Sequence, residues 1–106
     1  LNEAEINYKR AIDARPDYSD AYNNLVTILK DNGKLREAET WSKKLLILRP
    51  GYASLYNNLG ATSQALGQLV EAEKQFKYAL AIDPRYIVVF WNLIGLEKTS
   101  VTAEAS

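Results

Sequence analysis

The chain has 106 residues, 47% apolar and 25% charged, a composition typical of a soluble protein with one modest core. Thirteen basic residues balance thirteen acidic ones, so no strong field is present to attract nucleic acid or an acidic membrane surface. The absence of Cys and His removes thiol chemistry, the commonest general base and the commonest metal ligand, which argues against catalysis, a metal site or a cofactor.

The chain also lacks Met, a recognisable signal peptide and any apolar run of the roughly 18 residues that a membrane span requires. We therefore expect a piece of a longer protein that does not insert into a membrane. The compartment stays open, with the cytoplasm weakly preferred.

One pattern recurs along the chain at a constant spacing. Pro16, Pro50 and Pro84 stand at equal intervals with a period of 34, and each is followed two positions later by Tyr. Many other positions keep this register, among them Asn24, Asn58 and Asn92; Tyr22, Tyr56 and Phe90; Ala4, Ala38 and Ala72; and Gly33 and Gly67. Such a period indicates a repeat architecture in which each unit is one supersecondary element.

Each period contains two helical patterns, since its apolar residues recur at three- and four-residue steps. Gly33 and Gly67 predict the turn between the two helices, because Gly accepts the left-handed conformation that ends a helix. The prolines predict the end of the second helix, because the residue before Pro is biased away from the helical region. In chain order the predicted helices cover residues 1–14, 19–31, 35–48, 53–65, 69–82 and 87–98, which makes an all-α fold of about six helices.

The second complete period resembles the tetratricopeptide repeat (TPR), a helix–turn–helix unit. The residues that carry the resemblance are Tyr56-Asn57-Asn58-Leu59-Gly60, Gly67, Ala72, Phe76, Ala79-Leu80 and Asp83-Pro84. The preceding period is looser, because Val26 replaces a small residue where the two helices touch, Leu45 replaces Ala, and Ser42, beside Trp41, replaces an aromatic. We interpret these differences as local repacking. The resemblance implies a right-handed α-solenoid of antiparallel helix pairs that serves as a binding scaffold.

We expect residues 1–106 to form one solenoid fragment in which stacked units share a continuous core. Aromatic side chains are expected to fill the space between helices: Tyr8, Tyr22, Tyr56, Phe76 and Phe90. The fragment divides into residues 1–18 as the second helix of a truncated repeat, 19–52 and 53–86 as full repeats, 87–98 as the first helix of a further repeat, and 99–106 as a tail without the character of a partner helix.

The resemblance implies that the first helix of each pair lines a concave, peptide-binding side. Asn24, Asn58 and Asn92 would then form a ladder of amides, each able to pair with both the N–H and the C=O of an extended peptide. A similar ladder is associated with the repeat domain of O-linked N-acetylglucosamine transferases. The same amides could instead bond within the protein, and both alternatives stay open. The candidate peptide-binding residues are Asn23, Asn24, Thr27, Lys30, Asn57, Asn58, Gln64, Trp91 and Asn92.

Other interpretations of the concave side depend on a few positions. Trp91 could line the groove, join an interface or pack against neighbouring helices, and packing is the favoured interpretation.

A clamp for a peptide carboxylate, as in chaperone-adaptor members of the family, is not expected, and Lys30 and Lys98 are the only inward cations. The corresponding places hold no basic residue; they are Asn23, Thr27, Ser54 and Val88. No basic cluster with interleaved aromatics indicates a nucleic-acid site.

Residues 87–96 are apolar on every side of the predicted helix apart from Asn92. Terminal units of a repeat array normally show a polar outer face, so this helix indicates either that further repeats follow or that it pairs with another copy. In the second case Val89, Phe90 and Ile94 would form the interface of a homo-oligomer.

The sequence therefore predicts a protein–protein interaction module that binds an extended peptide or a partner protein and has no catalytic activity of its own. Two alternatives stay open. The chain could be the substrate-recognition part of a larger glycosyltransferase-type enzyme, or an assembly scaffold that associates through its apolar ends.

Overall fold

The computed structural model describes the backbone of residues 3–105 and the side chains of residues 3–96. This part of the chain is all-α, without a strand, which confirms the predicted fold class. Its helices are α1 (Glu3–Ala14), α2 (Ser19–Asp31), α3 (Leu35–Leu48), α4 (Ala53–Ala65), α5 (Leu69–Ile82) and α6 (Ile87–Ala105).

Two glycines end the first helix of each complete pair, as their positions predict. Gly33 and Gly67 have φ of 76° and 78°, in the left-handed region. The N–H of the following residue reaches back to the carbonyl five residues earlier, with Lys34 N to Leu29 O at 2.8 Å and Gln68 N to Ser63 O at 2.9 Å. This hydrogen-bond pattern satisfies carbonyls that the end of the helix would otherwise leave unpaired.

The last helix is longer than predicted. Residues 99–106 are expected to be a tail, but α6 continues to Ala105. Val101 stands one full period after Gly67, so the glycine that ends α2 and α4 is absent from α6. Since a β-branched residue is strongly disfavoured in the left-handed conformation, the helix has no stop signal there. Lys98 lies in this stretch, where side chains are not described.

The chain divides into two compact units, each with one complete helix pair and one additional helix. Unit 1 is Leu1–Pro50, with α1, α2 and α3. Its buried apolar residues are Ile12, Ala21, Tyr22, Leu25, Val26, Leu29, Ala38 and Leu45. Unit 2 is Gly51–Ser106, with α4, α5 and α6. In unit 2 a core cluster joins α5 to α6 and consists of Ala72, Phe76, Ala79, Val89 and Leu96.

Burial on α6 corrects two expectations. Val89 was expected at an oligomer interface, but it is 0% exposed in the core of unit 2 and so has no surface to offer a second copy. Phe90 was expected in the core, but it is 52% exposed. In α2 and α4 the ring at this register packs against the next helix, with centroid distances of 5.8 Å for Tyr22–Trp41 and 5.6 Å for Tyr56–Tyr78. Phe90 instead meets Trp91 of its own helix, edge to face at 6.3 Å.

The contact between α4 and α5 is very close at Gly60. A Cβ atom added to Gly60 would lie 2.6 Å from Cε1 of Phe76, and Phe76 is completely buried. The equivalent residues of unit 1, one period earlier, are Val26 and Ser42, and both are buried. In unit 2 the larger side chain is on the second helix of the pair (Phe76), whereas in unit 1 it is on the first helix (Val26).

We expect Gly60→Ala to destabilise unit 2 by about 1–3 kcal/mol, because the new methyl group overpacks a ring that cannot move into solvent. The free energy of unfolding, measured by denaturant titration with circular dichroism, checks this. Gly95→Ala is the matched control, since no described atom lies within 4 Å of its added Cβ. The control should leave stability unchanged or raise it by about 0.5–1 kcal/mol, as expected when Ala replaces Gly within a helix. Equal stability of the two variants would contradict the packing argument.

Unit 1 contains a buried carboxylate that joins α1 to the turn between α2 and α3. Glu5 is 4% exposed, and its two oxygens accept hydrogen bonds from Asn32 Nδ2 at 2.8 Å and Lys34 Nζ at 3.0 Å. The hydrogen bond from Asn32, followed by that from Lys34, lowers the pKa of Glu5 below its usual value. The ionised form is therefore favoured by folding.

Because the pKa of Glu5 is lower in the folded state, its contribution to stability is present above the pKa of an unfolded Glu, about 4.3, and is lost as the pH falls further. We expect wild-type unit 1 to lose stability on acidification more steeply than Glu5→Gln. Urea titrations of both proteins over a series of acidic pH values check this. Glu37→Gln, on the exposed surface of α3, should keep the wild-type slope. Identical slopes for wild type and Glu5→Gln would refute the assignment.

Candidate peptide-binding surface

The first helices of unit 2 present a surface without charged side chains. Neither α4 nor residues 87–96 of α6 contain Asp, Glu, Lys or Arg. The second helix between them differs, since α5 carries ion pairs at its surface, Glu73–Lys77 at 2.7 Å and Glu71–Lys74 at 3.8 Å. Charged side chains therefore lie on α5, and none lies on α4 or on residues 87–96 of α6.

An amide–amide hydrogen bond links α4 to α6. Nδ2 of Asn92 donates to Oδ1 of Asn57 at 3.0 Å, and both residues are half-buried. The bond uses one donor of Asn92 and one acceptor position of Asn57, so each amide keeps further hydrogen-bonding capacity. Asn92 therefore bonds within the protein, which is one of the two alternatives for the amide ladder. Its side-chain amide still has hydrogen-bonding groups that this bond does not use.

The other two amides of the predicted ladder are not engaged in this way. Asn58 is half-buried, and its backbone carbonyl accepts a hydrogen bond from Thr62 Oγ1 at 2.9 Å. Its side-chain amide makes no hydrogen bond to another described residue. The same holds for Asn24, which is exposed on α2. Neither side-chain amide is therefore paired within the part of the chain whose side chains are described.

The remaining candidates of unit 1 lie on α2. Asn23 and Thr27 are exposed, and Thr27 Oγ1 donates to the backbone carbonyl of Asn23 at 3.1 Å, so the hydroxyl of Thr27 is used within its own helix. Lys30 is half-buried. Of the candidates on α2, Asn23 and Asn24 keep side-chain amides that make no hydrogen bond to another described residue.

Trp91 differs from the favoured expectation that it packs against neighbouring helices. It is 64% exposed and stands one full period after Asn57, so the indole and the amide occupy equivalent positions on α6 and α4. Val88, one turn earlier on the same face, is 56% exposed. Gln64 is exposed towards the end of α4, and Ile94 is half-buried on the side of α6 that also carries Phe90. The structure thus places an exposed aromatic beside the amides of unit 2.

Sequence reasoning missed the partner of Asn92. The ladder pairs residues exactly one period apart, whereas the hydrogen bond joins residues 35 apart. Asn57, which directly precedes Asn58, was a signal for this contact. Two successive residues of a helix point in different directions, so the two amides on α4 can bond to different partners. The absence of charged residues from α4 and from residues 87–96 was also visible in the sequence.

Comparison with known protein families gives two matches, of which the second coincides with the complete period 53–86. Two sequence models of the tetratricopeptide repeat match residues 7–40 and 53–86. The chain belongs to the tetratricopeptide repeat family. No curated protein sequence showed significant similarity to it.

Solved TPR structures share this fold. The first TPR domain of human RPAP3 superimposes with a TM-score of 0.87 at 25% identity, covering 99% of this chain and 83% of that chain. The first TPR of Spaghetti (RPAP3), described with HSP90 peptide SRMEEVD bound, gives a TM-score of 0.83 at 23% identity over 89% of this chain and 75% of that one. A Thermobaculum terrenum O-GlcNAc transferase gives 0.77 at 28% identity, where the match covers 87% of this chain but 18% of the enzyme.

Within the described residues of this TPR chain, no helix has the length and apolar character needed to cross a membrane. The same residues contain no group of three or more acidic side chains that could together hold a metal ion.

The Asn57–Asn92 contact predicts a structural role that can be separated from binding. We expect Asn92→Ala to lower the free energy of unfolding by about 0.5–1.5 kcal/mol more than Asn58→Ala, because only Asn92 loses a partly buried hydrogen bond. Chemical denaturation checks this. Combining Asn57→Ala with Asn92→Ala should cost less than the sum of the two single changes, and strict additivity would show that the two amides do not interact.

Proposed function

We propose that this TPR chain is a protein-interaction module that binds an extended peptide segment on the first helices of its repeats and has no catalytic activity of its own. In unit 2 the binding surface is formed by α4 and α6. The observation that carries the proposal is the unpaired amide of Asn58 next to the amide pair of Asn57 and Asn92, in two stretches, α4 and residues 87–96, that contain no charged residue.

The chemistry of these groups suits a peptide backbone. An amide can donate to a backbone C=O and accept from a backbone N–H at the same time. Such pairing reads the backbone and is indifferent to the side chains of the ligand. In unit 1, Asn24 offers the same free group on α2.

A related structure supports the proposal. The first TPR of Spaghetti, which has the same fold, is described with an HSP90 peptide bound. That peptide is acidic, whereas the positions considered for a carboxylate clamp in this chain hold no basic residue; they are Asn23, Thr27, Ser54 and Val88. The supporting precedent is therefore binding of a peptide, and the ligand of this chain has a different chemistry.

Two further functions each have one observation in their favour. The match to O-GlcNAc transferase favours a role as the substrate-recognition part of a larger enzyme, with catalysis in another domain of the parent protein. The exposed ring of Phe90, with half-buried Ile94 on the same side of α6, favours self-association of the TPR chain through α6.

We expect short peptides selected from a random display library to bind wild type, and Asn58→Ala to weaken that binding by about fivefold or more, which corresponds to the loss of one hydrogen bond. Calorimetric titration of the selected peptides measures this. Val70→Ala is the matched control, because Val70 is exposed on α5 of the same unit and is not part of the proposed surface. Failure to select any peptide, or equal binding by Asn58→Ala and wild type, would refute the proposed role of the amides.

A further inference from the structure

One stripe of apolar residues on α6 is more exposed than its counterparts on α2 and α4. Ile87, Phe90 and Ile94 are spaced by three and four residues, so they follow one line along the helix. Ile87 is 67% exposed, Phe90 is 52% exposed and Ile94 is half-buried. One and two periods before Ile94 stand Gly60 and Val26, and both of these are buried. The stripe is therefore less covered than the same register in the two complete helix pairs.

In both complete pairs a second helix packs against this register. The ring centroids of Tyr22 and Trp41 are 5.8 Å apart between α2 and α3. Those of Tyr56 and Tyr78 are 5.6 Å apart between α4 and α5. Phe90 occupies the register of Tyr22 and Tyr56 on α6. Two interfaces of the same chain thus show which kind of element covers a ring at this position, namely a helix that carries an aromatic residue.

Up to residue 105 the backbone does not fold back onto the stripe. Gly33 and Gly67 follow α2 and α4, and the chain then returns as α3 and α5. α6 instead continues past the equivalent position, Val101, to Ala105. The stripe is therefore accessible to a helix of another molecule, whose apolar residues at three- and four-residue steps would pack against it.

The size of Ile94 restricts which helix fits. A Cβ atom added to Gly60 would lie 2.6 Å from Cε1 of Phe76, so the ring fills the space beside the glycine. In unit 1, where Val26 stands at the register of Gly60, Ser42 stands at that of Phe76. Ile94 is larger again than Val26. We therefore expect Gly, Ala or Ser at this position of a partner helix, because a larger residue would overpack the contact.

The first helix of a second copy does not meet these requirements. α1 has the register of a second helix, and it carries Tyr8 at the position where a small residue is required. Pairing of α1 with α6 would set this ring against Ile94. Asn7 and Arg10 stand at the positions where α3 and α5 carry their aromatic partners, so Phe90 would gain no ring contact. A helix of a different protein is the better match.

We propose that Ile87, Phe90 and Ile94 form a docking face for an amphipathic helix of a partner protein, with a small residue against Ile94 and an aromatic residue against Phe90. The inference goes beyond the proposed function, because both the ligand and the surface differ. Asn92 stands two residues after Phe90 and so points about 200° away around the helix. The extended peptide and the partner helix therefore bind to different sides of α6.

Two peptides with the sequence of α3, residues 35–48, test the size requirement. α3 has the inferred pattern, since Ser42 directly follows Trp41. Both peptides are capped and held helical by a hydrocarbon staple in place of Arg36 and Thr40, which are exposed on α3. The second peptide also carries Ser42→Phe. We expect the first to bind the TPR chain about tenfold more tightly, because the Phe ring overpacks the contact. Fluorescence anisotropy of labelled peptides measures this.

Two variants locate the contact on α6. Phe90→Ala should weaken binding of the Ser42 peptide by about tenfold, as expected for the loss of a central aromatic residue, and the exposure of Phe90 protects the fold from this change. Ile94→Ala should bring the affinities of the two peptides to within about threefold of each other, because the smaller side chain makes room for the Phe ring. Asn58→Ala and Val70→Ala, which lie outside the stripe, should bind both peptides like wild type.

The outcomes separate the docking face from the proposed function. Binding of neither peptide, equal affinity of both for wild type, unchanged binding by Phe90→Ala, or full discrimination by Ile94→Ala would overturn the docking face and leave the extended-peptide surface untouched. The library-selected extended peptides should still bind Phe90→Ala, and their loss would show that the two surfaces are one. Light scattering is run on wild type and Phe90→Ala. A dimer that this change dissociates would assign the stripe to a second copy and overturn the inference.

Discussion

The close approach of α4 and α5 at Gly60 is the constraint on which unit 2 depends. The ring of Phe76 fills the space that any other side chain at residue 60 would occupy. Phe76 also belongs to the core cluster with Val89 and Leu96, so one buried ring connects α4 through α5 to α6. Gly60 stands three residues after Asn57, and Val89 and Leu96 flank Asn92 at steps of three and four residues, so these core contacts lie next to the Asn57–Asn92 hydrogen bond. The proposed binding surface is therefore held both by the core and by this hydrogen bond.

Unit 1 meets the same constraint with a different pair of residues. Val26 occupies the place of Gly60 and Ser42 the place of Phe76, and both remain buried. The exchange has a cost, because Oγ of Ser42 is buried without a hydrogen-bond partner. Trp41, next to Ser42, packs against Tyr22, and the ammonium group of Lys44 lies 4.3 Å from the centroid of the Trp41 ring. The aromatic residue of α3 thus stands one position before the equivalent of Phe76. Val26 is thus larger than Gly60 and Ser42 smaller than Phe76, two opposite changes of size that agree with the interpretation of local repacking.

The sequence predicted those features that depend on local signals. The helix bounds from Ser19 to Ile82 follow from glycines and prolines, whose effect on the backbone does not require knowledge of the neighbours. Burial on α6 was not predictable in the same way. The register groups Phe90 with Tyr22 and Tyr56, but each of those two rings contacts an aromatic ring of the next helix, and the register does not show whether such a partner is present. The hydrogen bond of Asn92 depends equally on how α4 and α6 face each other. Val101, in contrast, was a local signal for the extension of α6 that the prediction of a tail did not use.

The unfavourable features of the chain are not distributed at random. Isolated exposed apolar residues such as Val70 and Ile47 are ordinary. On α6, however, exposed Val88 and exposed Trp91 share one face, and that face carries the register of Asn57 and borders Asn92. The opposite requirement, packing in the core, is met by Val89 and Leu96 of the same helix. The charged pairs of unit 2 lie on α5, where they can support solubility. The exposed apolar pair and the charged pairs thus lie on different helices of the unit, an arrangement that suits the peptide binding proposed for α4 and α6.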